Sequence, residues 1–248
     1  MISDFPNAND LKDIKSCGSR VVPKDEHITT FNEQVTAMIE SMQVLNLKTL
    51  CMFHNLYTLY ALILLQFGSG LRPVADLLER ISVNAQGKIF ITDKNSRKRK
   101  EFRVNHLPQL VRDVLKQIKS GAKATFTRLS VSHGRTPEYS GQMLFFIDEG
   151  YRFVDVSPST IRQVLEENKL SELYDFPLNC ARHFMSTLLS EQGVSFELLD
   201  AWMGHQRNGK EFMNIYSTSD AKSLSQVKKI IGGILNELKF RFVKYKIL

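Results

Sequence analysis

The sequence predicts an α+β fold, mainly helical, with a small β-hairpin or sheet. Three observations predict it. Apolar residues recur at three- and four-residue spacing over most of the chain. Short alternating stretches occur in only two places, each built around a polar turn. Gly, Pro and Ser fall between these segments, where turns and caps need them.

Residues 1–25 are polar and without clear period, and read as an irregular arm. From about 28 to 45, Phe31, Val35, Met38, Ile39 and Met42 mark an amphipathic helix. A second helix runs from about 47 to 67 and stops at "GSG" (68–70). "RPVADLLERI" (72–81) is a short helix with Pro73 in its first turn. "KIFITD" (88–93) and "KEFRVN" (100–105) are strands flanking the basic turn "KNSRKR". "LPQLVRDVLKQI" (107–118) returns to helix, and the Ser-, Thr- and Gly-rich residues 119–140 read as a loop. "QMLFFI" and "YRFVDV" around "DEG" form a second hairpin. "SPSTIRQVLEENK" opens with a Ser cap and Pro at the first helical position. Helices at 178–192 (ended by Gly193), 195–203 and about 219–243 complete the chain.

Composition narrows the function classes. At 248 residues and 43% hydrophobic, the chain has a core and is no disordered polyelectrolyte. Thirty-three Lys and Arg against 26 Asp and Glu give +7, which suits a polyanionic partner such as double-stranded DNA. Cys17, Cys51 and Cys180 are odd in number and far apart, as in a reducing compartment. "MISDFPNAND" lacks the pattern of a secretion signal. The apolar run 56–67 is too short to cross a bilayer. A soluble cytoplasmic protein, nucleoid-associated if it binds DNA, is the expectation.

Four places carry candidate chemistry. "GSGLRPVAD" sets Arg72 after a glycine turn, with Asp76 one helical turn on. "LNCARHFMSTLLSEQGV" sets Arg182 and His183 in a helix whose Leu178, Phe184, Leu188 and Leu189 look buried. "MGH" gives His205 just past a helix end, and "NIYS" gives Tyr216. Taken singly, each has an ordinary structural explanation: an Arg–Asp ion pair, or a packed His or Tyr. Cys180 and His183 supply half of a metal site, and no second half with suitable spacing follows.

Their order says more. "GLRPVAD … ARHFMSTLLSEQGVSFELLDAWMGH … NIYS" resembles the catalytic domain of the tyrosine recombinases, the phage-integrase family, over roughly residues 48–220. The resemblance implies a site-specific DNA recombinase, an integrase for a mobile element. Tyr216 would attack the scissile phosphate and hold it as a 3′-phosphotyrosyl ester. Arg72 and Arg182 would fork onto its non-bridging oxygens, and His205 and Asn179 would hydrogen-bond it. A hairpin lysine would protonate the leaving 5′-oxygen; Lys94 is the match and Lys98 the runner-up. The family's chemistry needs no metal or cofactor. Arg97, Lys98, Arg99 and Lys100 would grip DNA phosphates nonspecifically.

Three departures stand against the pattern. Asn179 replaces the family's first His and cannot exchange protons near neutral pH. The interval from His205 to Tyr216 is lengthened by "QRNGKE". Residues 1–47, expected as a partial clamp, are too few for the family's helical clamping domain, so a minimal member, a fragment, or a grip completed by a partner recombinase or accessory protein are the alternatives. Residues 221–248 form a basic amphipathic end whose stripe of Leu224, Val227, Ile230, Ile231, Ile234 and Leu235 either packs on its own domain or links a ring of four protomers. The rivals to a recombinase are a catalytically lapsed DNA-binding relative and a type IB topoisomerase-like relaxing enzyme.

Overall fold

A computed structural model describes residues 24–71, 82–84, 87–91, 95–96, 99–100, 103–132, 141–172, 174, 180–203 and 218–247. Among them the elements in chain order are α1 (Asp25–Ser41), α2 (Leu47–Ser69), β1 (Ser82–Val83), β2 (Lys88–Ile91), β3 (Asn95–Ser96) and β4 (Arg99–Lys100). There follow β5 (Arg103–His106), α3 (Gln109–Ser132), β6 (Phe146–Ile147), β7 (Phe153–Val154), α4 (Pro158–Glu167), α5 (Cys180–Glu191), α6 (Phe196–Met203) and α7 (Thr218–Glu237). The chain is therefore mainly helical with small antiparallel sheets, an α+β arrangement.

Helix α2 is the axis of the core. Asn46 caps it by accepting from Thr49 N–H while the Thr49 hydroxyl accepts from Asn46 N–H, a reciprocal pair that satisfies two first-turn donors. From Phe53 onward α2 is buried on every side, packed by α1, α3, α4, α5, α7 and β6. Its 23 residues are long and apolar enough to span a bilayer, a longer element than the apolar run 56–67 suggests, and 89% of its most apolar window is buried inside the chain. Residues of α1 (Ile28, Phe31, Val35, Ile39) and of α7 (Val227, Ile231, Ile234, Leu235) join the same core. Those four α7 residues belong to the stripe read from the sequence, and they face the chain's own interior.

The first hairpin region is richer than expected. β2 and β5 pair antiparallel, Ile89 opposite Asn105, and β1 adds a third strand beside β2. Within the basic turn, β3 and β4 pair Asn95 with Lys100 and Ser96 with Arg99. The second hairpin pairs β6 with β7, and Ser157 caps α4 together with Thr160, as the Ser-Pro start predicts.

Two sequence expectations are corrected. Helix α3 does not stop at 118 but continues to Ser132. Its polar residues mislead because Ser120 and Thr127 turn their hydroxyls onto carbonyls of their own helix. Gly121 is there for space: a Cβ would lie 2.4 Å from the Tyr245 ring. The last helix does not reach 243 but ends at Glu237. Lys239 takes a left-handed φ of 60°, and Phe240 N–H closes onto Leu235 O.

Residues 240–247 then form a non-helical strap across α2. Tyr57 and Tyr60 donate their hydroxyls to the carbonyls of Val243 and Arg241. Buried His54 meets Tyr245 Oη at 2.6 Å through Nδ1 and Phe145 O at 3.1 Å through Nε2. Because a carbonyl only accepts, Nε2 carries the hydrogen and Nδ1 accepts from Tyr245, whose oxygen receives the Thr125 hydroxyl at 2.8 Å. Burial pushes the His54 pKa down to about 4, so the imidazole is neutral.

Candidate functional site

Of the residues singled out from the sequence, Arg72, Asp76, Lys94, Arg97, Lys98, Asn179, His205 and Tyr216 lie outside the described residues. Arg99 and Lys100 are described by their backbone pairing in β4. Arg182 is described fully, and the surrounding geometry grows from it.

Arg182 sits in the first turn of α5, 2% exposed, among the largest fully buried side chains. Its Nη1 donates to Gly70 O at 2.9 Å, and its Nη2 donates to Met203 O. Gly70 caps the C-terminus of α2, and Met203 ends α6. The final carbonyls of a helix have no partner in their own ladder and form the negative end of its dipole. One buried cation thus serves two helix ends at once, a task that suits a planar guanidinium with several donors.

A second cross-link lies alongside. Asn105 of β5, 0% exposed, donates through Nδ2 to Ser69 O at 2.8 Å and to Trp202 O at 3.1 Å. Arg182 takes the carbonyls of residues 70 and 203, and Asn105 takes those of 69 and 202. The two helix ends are stapled together by adjacent rungs, one from α5 and one from the hairpin sheet. Gly70 has φ +64°, and a Cβ there would lie 2.8 Å from the Trp202 ring, so a left-handed turn and a close approach both require glycine.

The staple brings three motif-bearing segments to one place. Gly70 is two residues before Arg72, Met203 is two before His205, and Arg182 belongs to the "ARH" helix itself. As placed, Nη1 and Nη2 each give an N–H to a carbonyl inside the protein, where the resemblance implied the oxygens of a phosphate. Cys180, which opens α5, is buried, and burial pushes its thiol up to about 11, so it remains a neutral thiol near the Tyr174 hydroxyl. Burial, with Lys88 and Lys228 nearby, lowers the pKa of His106 on β5.

Asn105 is the residue that sequence reasoning misses. In the sequence it reads as the end of a strand, and the one available signal is a polar amide at an inward position opposite apolar Ile89. Its partners lie 36 and 97 positions away, so no local pattern names them. No family model matches the chain, and no curated protein matches it.

Proposed function

We propose that this chain is a DNA strand transferase of the tyrosine-recombinase kind, acting in site-specific recombination. The observation that carries the reading is the junction at Arg182. The chain segments leading to Arg72 and His205 both meet the side chain of Arg182, itself a motif residue.

In this reading Tyr216 attacks phosphorus, a tyrosyl–phosphate bond forms, and the bond to the 5′-oxygen breaks. Lys94, or Lys98 in its place, protonates that oxygen. Arg72 and Arg182 with His205 and Asn179 stabilise the charge gathering on the non-bridging oxygens. No metal is required by such a scheme. Assembly of several protomers on paired sites is part of the proposal, and it needs a surface other than the buried stripe of α7.

The test is a pool of nicked "suicide" duplexes of randomised sequence, from which covalent protein–DNA adducts are recovered and sequenced. The native chain is expected to form a 3′-linked adduct that Tyr216→Phe abolishes. Tight binding of the pool with no adduct would sink the enzymatic reading. It would favour the second one, a DNA-binding relative whose chemistry has lapsed. Two observations lean that way: Asn179 stands in place of a proton-exchanging His, and Arg182 is engaged by backbone carbonyls inside the protein.

A further inference from the structure

Besides the basic turn at 94–100, the chain has a second basic region where α3 and the strap lie side by side. The two segments, 109–132 and 239–247, hold nine cations and a single acid, Asp113, while the whole chain's excess is +7. The other residues sum to about −1, with the basic turn at 94–100 offset by acids elsewhere.

Some of these cations are occupied. Arg241 pairs with Glu40 at 2.7 Å, and Lys246 Nζ donates to the carbonyls of Glu40 and Met42, serving the end of α1. Lys116, Lys119, Lys123 and Lys244 are different. All four are exposed, and none of their ammonium groups has a hydrogen-bond or ion-pair partner among the described residues. Positions 116, 119 and 123 fall on one face of α3. Lys244 reaches the same neighbourhood because the adjoining Tyr245 packs on Gly121 and donates its N–H to Gln117 Oε1. Asp113, the one acid in these segments, accepts from Gln109 within its own helix.

We propose that Lys116, Lys119, Lys123 and Lys244 form a docking surface for the phosphate backbone of duplex DNA. The fit is one of charge and shape. Along α3, at about 1.5 Å per residue, the three lysines make a straight row roughly 10 Å long. One strand of a duplex carries a phosphate about every 3.4 Å of axis. A membrane surface fits less well, because an interfacial helix buries an apolar face in lipid. The apolar face of α3 is committed to the core through Val111, Val114, Ile118 and Leu129. The surface shares its DNA partner with the proposed function and rests on no part of its chemistry.

The experiment compares the native chain with a variant changing all four lysines to Gln and another changing all four to Arg. Binding to a labelled duplex is followed by anisotropy from about 50 to about 300 mM salt, with circular dichroism as the check on folding. The Gln variant is expected to bind at least about tenfold more weakly, and its log–log salt dependence to be shallower by about 3. The Arg variant should keep both values. An unchanged salt dependence in the Gln variant overturns the proposal. So does a native chain that ignores duplex DNA and instead binds vesicles of phosphatidylcholine and phosphatidylserine. A native chain that binds duplex through these lysines and never yields a Tyr216 adduct leaves this surface standing and removes only the strand-transfer reading.

Discussion

Replacing Arg182 by Lys tests whether one guanidinium holds two helix ends together. The substitution keeps a positive charge in the same buried place, so the cost of burying a cation is not relieved, and an ammonium is the more strongly hydrated ion. What changes is reach. The guanidinium presents Nη1 to Gly70 O and Nη2 to Met203 O from a fixed plane. A lysine ends in one nitrogen on a shorter stem, and that single point cannot stand at both of the separate positions from which Nη1 and Nη2 reach their carbonyls. A charge-assisted hydrogen bond is worth about 1.5–3 kcal/mol, so the loss of one predicts a destabilisation of about 2–3 kcal/mol. For a chain of this size that is a fall in melting temperature of about 4–12 °C. Urea denaturation at neutral pH measures the first quantity and a thermal melt the second. Hydrogen exchange adds a local reading: amides around Gly70 and around Met203 should accelerate together. An Arg182→Lys chain within about 0.5 kcal/mol of the native one would refute the reasoning, as would acceleration at only one helix end.

Two further outcomes follow from neighbouring features. Asn105→Ala removes the second rung, two amide bonds at about 1 kcal/mol each plus a small cavity, and should cost about 2–4 kcal/mol in the same urea assay. Because Asn105 and Arg182 hold adjacent carbonyls, the double variant should lose measurably more or less than the sum of the singles. His54 gives a pH signature. Its folded pKa is lowered by burial from 6.5 to about 4, so between these values the unfolded chain binds a proton that the native chain refuses. The stabilisation is whole above pH 6.5 and is lost as pH falls through about 4, by about 3 kcal/mol in all. Urea titrations across that window should show the loss, and His54→Gln should flatten it.

Much of the frame was legible because it follows local rules. Helix α2 announces itself through its apolar run and Gly stop, α4 through its Ser-Pro start, and both hairpins through alternation around polar turns. The misreadings share one cause, which is long-range context. Residues 119–132 look like a loop until Tyr245, more than a hundred residues on, fills the space left by Gly121 and bonds Thr125. The end of α7 carries no Gly or Pro. Phe240, Val243 and Tyr245 leave the helical path because α2 offers buried hydroxyls and apolar contacts to a strap. At the site, the motif order singled out Arg182 as a clamp on phosphate oxygens, while its bonds to the carbonyls of Gly70 and Met203, and Asn105 beside it, were invisible, since backbone acceptors leave no mark in a sequence.

The burial of Arg182 bears directly on the choice between an active strand transferase and a lapsed one. A phosphate is stabilised by a guanidinium only if its oxygens reach the N–H groups, and a side chain 2% exposed admits no such approach as it stands. Pulling the whole group toward DNA is the costly solution, because it strands the carbonyls of Gly70 and Met203 and uncouples the two helix ends that lead to Arg72 and His205. The gentler solution keeps both carbonyl bonds and opens a path to another edge of the same plane, so that the cation which assembles the site also acts in it. In a lapsed relative no such path is needed, and the two rungs give Arg182 and Asn105 a structural role. A native chain that yields no adduct is the lapsed case; where the native chain cleaves, the Arg182→Lys chain tells a holding role from a holding-and-acting one when its residual strand cleavage is set against its stability. If Arg182 only holds the fold, cleavage at a temperature where the variant is fully folded should stay close to native. If it also faces the phosphate, cleavage should fall well beyond what the lost stability accounts for.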